Sequence, residues 1–294
     1  MSPTSHTAST CSCKRLAVNV LLLAVLTCLP LGAGAQSYAE CAAKGVEYAE
    51  QDSLEQAKYW IEKALKEEPA NVKNAMLLSN LGTIQRRMGK KDDALASYDL
   101  AHNITPYSIT ILLNRASLCL DMNLLDKAYT DYCNVLDIDP KCREALLYRA
   151  YIYMQRHEFG QAKVDYIRLL QEDPSNKTAR LGKAFADQYM QHHRECLEEL
   201  ERMITDYPDD VTLLKARANV EIEMKAFDLA LLTLEKAMRL APTDADIVVT
   251  CGQVYLMQER YHEAFVALEK AADMGYPRAS LSDLLKKANT KNNR

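Results

Sequence analysis

The chain has 294 residues, 48% of them hydrophobic and 26% charged, which is the balance of a globular protein and excludes a disordered or many-spanning membrane one. Nine glycines over this length argue against a sheet-rich or loop-rich fold. A formal charge of −4 argues against a protein that lives on nucleic-acid phosphates.

Residues 1–35 read as an export leader. Lys14 and Arg15 precede an apolar run from Leu16 to Leu31, and Ala33-Gly34-Ala35 offers small residues where a signal peptidase needs them. The run is shorter than the roughly 20 apolar residues that span a bilayer, and Pro30 ends it early. Cleavage after Ala35 is expected, with no later membrane span. The expected location is outside the cytoplasm, the periplasm in preference to a secretory lumen or the extracellular space. Cys11, Cys13 and Cys28 leave with the leader. The remaining Cys41, Cys119, Cys133, Cys142, Cys196 and Cys251 are irregularly spaced. Most fall where a helix packs a small apolar residue, so free buried thiols are favoured over disulfides. Cys133 and Cys142 are the pair to test first.

Beyond the leader, prolines count out a period. Pro69, Pro106, Pro140, Pro174, Pro208, Pro242 and Pro277 lie 37, 34, 34, 34, 34 and 35 residues apart. Twelve residues before the first six stand Ala57, Ala94, Ala128, Ala162, Cys196 and Ala230, and twenty-four before them stand Gly45, Gly82, Ala116, Ala150, Ala184 and Ala218. Eight before them come Ile61, Tyr98, Tyr132, Tyr166, Leu200 and Leu234. A fixed period of this length marks a solenoid of helix–turn–helix units. The small columns are where two helices cross closely, and proline ends each second helix because it cannot extend the hydrogen-bond ladder. Two residues after it, Asn71, Ser108, Asn176, Asp210 and Asp244 are placed to cap the next helix; Cys142 is the exception. Val72, Lys73 and Asn74 are surplus to the period and, at nearly one turn, are expected to lengthen a helix without rotating its face.

These columns resemble the tetratricopeptide repeat (TPR) family over seven units: 38–71, 75–108, 109–142, 143–176, 177–210, 211–244 and 245–278. The family's tryptophan at the fourth position is missing throughout. The resemblance implies an all-α, right-handed α-solenoid. Leu281, Leu284 and Leu285 then predict an amphipathic capping helix within 279–294, with a frayed tail. It also implies that the second, fifth, ninth, twelfth and thirteenth residues of each unit's first helix line a concave groove. In the middle units the apolar members of that set are Leu113, Leu120, Leu147, Tyr151, Met154, Leu181, Phe185 and Tyr189, where a solvated face would be mainly charged. The partner implied is a protein or peptide segment. A structural or self-assembling spacer in a cell-envelope complex is the alternative.

No residues call for a cofactor, a metal or catalysis. Arg115, Arg149 and Lys183 stand sixteen residues before Asp131, Asp165 and Glu199, a spacing that pairs base with acid inside each repeat; Arg217 meets Thr233 and is left without an acid. His192 and His193 project about 100° apart on a helix, so with Cys196 they do not converge on one ion. The basic cluster Arg86–Lys91 reads as a solvated turn rather than a nucleic-acid patch. Asn80 and Asn114 match two positions of the family's clamp for chaperone-tail carboxylates, but Glu144 sits where a lysine is required. That function is excluded, as are a phosphate loop and a nucleophile elbow.

Overall fold

A computed structural model describes residues 33–292. Of the leader, Ala33–Ala35 lie in the first turn of a helix and residues 1–32 lie outside the described residues. The described residues form fifteen α-helices and no strand. They are α1 (Ala33–Glu50), α2 (Leu54–Glu67), α3 (Asn74–Arg87), α4 (Lys91–Ile104), α5 (Ile109–Asp121), α6 (Leu125–Ile138), α7 (Arg143–Gln155) and α8 (Phe159–Glu172). There follow α9 (Lys177–Tyr189), α10 (His193–Asp206), α11 (Val211–Glu223), α12 (Phe227–Leu240), α13 (Ala245–Met257), α14 (Tyr261–Asp273) and α15 (Arg278–Asn292). None of them is long and apolar enough to cross a membrane.

The helices pack in successive pairs, each chiefly against its neighbours in the chain, which makes the molecule an all-α solenoid. Its core is correspondingly serial. One cluster gathers Leu112, Tyr132, Leu146 and Tyr166, the next Leu200, Leu213, Leu234 and Ile247, and the last Val248 and Leu268. Leu281, Leu285 and Ala288 of α15 join that last cluster and cover the end of the stack. The small columns lie at the crossings, with Ala57, Ala94, Ala128, Ala162, Cys196 and Ala230 wholly buried. Where glycine occupies such a place there is no room for more: a Cβ on Gly82 of α3 would stand 2.8 Å from Cε1 of Tyr98 on α4, and between pairs one on Gly182 of α9 would stand 2.4 Å from Cζ of Tyr166 on α8.

The turn inside every pair has one geometry. Asp52, Gly89, Asn123, His157, Gln191, Lys225 and Glu259 all have φ between 58° and 78°, the left-handed conformation that reverses the chain after a helix. The next residue's N–H then reaches back to the last turn, as in Leu124 N to Cys119 O at 2.8 Å and Ala226 N to Glu221 O at 2.8 Å. Six of the seven positions carry a side chain, so glycine gives no sign of this turn in the sequence.

The connections between pairs follow the expected caps in part. Asn176, Asp210 and Asp244 each accept a backbone N–H, from Ala179, Thr212 and Asp246. Ser108 stands at the cap of α5 with no side-chain bond, and Asn71 does not cap α3, which starts at Asn74. Of the surplus residues only Asn74 joins the helix, as its first residue: Val72 and Lys73 form a turn. The reason lies in Asn74, 2% exposed, whose Nδ2 donates to the Glu68 and Pro69 carbonyls at 2.7 and 3.2 Å while its Oδ1 accepts from the Tyr38 hydroxyl at 3.0 Å. The buried amide thus ties the chain entering α3 to α1.

Candidate functional site

The contacts define an inner and an outer face. α1 meets α3, α3 meets α5 and α7 meets α9, whereas no two second helices of successive pairs meet to the same degree. The stack therefore curves with the first helices inside. The eight apolar residues expected to line a groove lie on α5, α7 and α9. Six of them are half-buried. Leu113, Leu120, Leu147 and Met154 pack onto the cluster of Leu112 and Leu146, and Leu181 and Phe185 onto that of Leu213. Tyr151 and Tyr189 stand out at 46% and 54% exposure. Packing onto the core thus takes up Phe185 and the five leucine and methionine side chains and leaves the two tyrosines to solvent.

Tyr189 is not isolated. It stacks on Phe159, the first residue of α8, with ring centroids 4.7 Å apart and an interplanar angle of 11°, and His157 meets Phe159 edge-on. Phe159 is absent from the residues expected from sequence, because it lies on a second helix and only the fold brings it to Tyr189. On α7, Glu144 reaches solvent, yet surrounding protein desolvates its carboxyl and raises its pKa above the ordinary carboxylate range.

The charged side chains mostly hold the scaffold. Arg115 grips Asp131 through Nε and Nη2 at 2.8 and 2.7 Å and reaches Asp99 at 2.9 Å, and Arg149 grips Asp165 at 2.7 and 2.8 Å. The third expected pair is replaced. Glu199 takes Arg180 at 2.7 Å, while Lys183 turns to Asp187 on its own helix at 3.5 Å, which Lys163 and His192 also face. Arg217 is not left without an acid either: its Nε donates to Glu221 at 2.8 Å, and Glu221 accepts from Thr233 at 2.7 Å. The basic cluster after α3 is a joint rather than a free turn. Arg86 binds Ser117 and Asp121, Arg87 binds Asp52 and the Ala49 carbonyl, and Lys91 donates to the Asp121 carbonyl.

The six cysteines of the described residues are free thiols. Burial pushes Cys196 up to about 12 and Cys119 and Cys251 to about 11, so at neutral pH these three are protonated and serve as small apolar packing. Among the described residues no three metal-ligating side chains gather. His192 faces Asp187 and His193 faces Glu223. α12, α13 and α14 leave a cleft of about 780 Å³ in which Leu231, Leu232, Val248, Val266 and Ala267 stand beside the charged Asp228, Glu235, Glu263 and Lys270. Leu232 and Val266 there are 61% and 53% exposed.

The family model of the tetratricopeptide repeat matches residues 109–142. No curated protein matches the chain. Among solved structures, a tetratricopeptide repeat protein from Parabacteroides merdae is 33% identical, with a TM-score of 0.64, over 86% of this chain and 99% of its own. MamA from Desulfovibrio magneticus is 14% identical with a TM-score of 0.55, over 58% of this chain and 96% of its own. The pilF protein of Pseudomonas aeruginosa is 16% identical with a TM-score of 0.54, over 71% and 94%. The last two likenesses concern the fold alone.

Proposed function

The chain belongs to the tetratricopeptide repeat family, and we propose that it is a non-catalytic scaffold holding a segment of another protein in the concave groove of α5, α7 and α9. The observation that carries this reading is the pair of half-exposed tyrosines, Tyr151 and Tyr189, which stand with leucine, methionine and phenylalanine side chains among the groove positions. Aromatic side chains presented this way supply large contact area at little cost in side-chain entropy, as binding hot spots do. The leader pattern of Lys14, Arg15, the apolar run and Ala33-Gly34-Ala35 supports an exported protein, with the periplasm favoured. The test is capture from an extract of the native host by the tagged protein. Tyr151→Ala with Phe185→Ala is expected to lose a partner that wild type retains, at unchanged helical content. Equal recovery by both proteins overturns the reading.

A second reading, a self-assembling spacer, draws on Leu232 and Val266, which stand exposed at the cleft of α12, α13 and α14. Light scattering over a concentration series decides it: a mass that stays monomeric throughout leaves nothing to assemble, and a mass that rises with concentration and falls again in Leu232→Glu supports it.

A further inference from the structure

Glu144 is an unneutralised acid on the inward face. Of the acids at the inward positions of α5, α7 and α9, Asp121 is taken by Arg86. Glu144 has neither hydrogen bond nor ion pair among the described residues. The cations are engaged elsewhere: Arg143, its neighbour in the chain, with Asp173, Lys177 with Asp210, and Arg86, whose charge acts on Tyr132 as that of Glu144 does, with Asp121. Thr110 and Thr178 hold the equivalent places on α5 and α9, so the flanking helices bring no positive charge at those places. Along α7, Glu144 shares a face with Leu147, one turn on, and Tyr151, two turns on.

We propose that the segment taken by the groove carries a lysine or arginine over Glu144 and an apolar or aromatic residue against Tyr151, a statement that rests on the groove reading above. The protein has already met part of the desolvation cost of this carboxylate in its free state, so an arriving cation gains attraction without first stripping the acid of all its water. A segment with a carboxylate at that place is repelled, and specificity comes from that rejection as much as from attraction. The spacing is fixed by the helix. Seven residues at 1.5 Å each put Glu144 and Tyr151 about 10 Å apart along the axis. In an extended segment running along α7, at about 3.3 Å per residue, the cation and the anchor are then about three residues apart.

The test uses the whole mature protein on an array of twelve-residue peptides, random except for a tyrosine and, three residues from it, Lys, Arg, Gln or Glu. Wild type is expected to retain the Lys and Arg sets about tenfold more strongly than the Glu set, with the preference weakening in high salt. Glu144→Gln levels the four sets and Glu144→Lys inverts the order, each at wild-type helical content. Retention that depends on Tyr151 but ignores the charge overturns this inference and leaves the groove reading standing. If wild type retains no set, both fall.

Discussion

Arg115 and Asp131 close a two-pronged ion pair inside a single helical hairpin, and Arg149 and Asp165 repeat it thirty-four residues on. Asp131 is 1% exposed, so its charge relies on the guanidinium. Arg115→Met is expected to cost about 3 kcal/mol, because it leaves a buried carboxylate unpaired. Adding Asp131→Leu is expected to return most of that loss, since a well-packed apolar pair can replace a buried ion pair. Urea denaturation of the two variants checks both statements.

Gly182→Ala sets two effects against each other. Alanine favours the helix by about 1 kcal/mol, but its methyl would enter the Tyr166 ring, and overpacking costs about 1–3 kcal/mol. A net loss of stability is expected, reversed to a gain when Tyr166→Leu clears the space. Thermal melts of the single and double variants give the sign.

The left-handed turns offer stabilisation at exposed sites. Lys225 has φ of 60°, a conformation that costs a side-chain-bearing residue about 1 kcal/mol relative to glycine. Lys225→Gly is expected to raise stability by several tenths of that or more, and Gly89→Ala to lower it. Chemical denaturation midpoints at constant slope check the pair.

Glu144 bears on pH dependence. Its folded pKa is raised by desolvation, so the folded protein holds this proton to higher pH than the unfolded chain does. The ionised group therefore subtracts from stability above the raised value, and the subtraction vanishes below the unfolded value of about 4.3. Glu144→Gln is expected to melt at a higher temperature than wild type at pH 7, with the difference closing as pH falls toward 4. Scanning calorimetry across that range measures it.

The repeat was legible because its markers answer to the backbone. Proline stops a helix and Gly or Ala lets two helices touch whatever else surrounds them, so these columns keep their period in the sequence. Ion pairing was legible only where one partner is available. The sixteen-residue rule holds for Arg115 and Arg149 but gives way at Lys183, because Arg180 reaches Glu199 and Asp187 offers Lys183 a nearer acid. Val72–Asn74 misled for a similar reason: its fate depends on a buried bond between Asn74 and Tyr38, thirty-six residues away. Position in the repeat does not give the depth of the residues expected in the groove. Packing onto the core half-buries Leu113 and Leu147 and spares Tyr151. The Phe159–Tyr189 stack joins two helices that no local spacing connects.

Contacts that run chiefly from one helical pair to the next also bear on how such a protein changes over evolution. A duplicated or deleted stretch of thirty-four residues adds or removes one storey while every other storey keeps the floor and ceiling it had. Length, and with it the reach of the inner face, is then open to alteration by recombination within the gene. The closing helix α15 is the piece that must stay at the end.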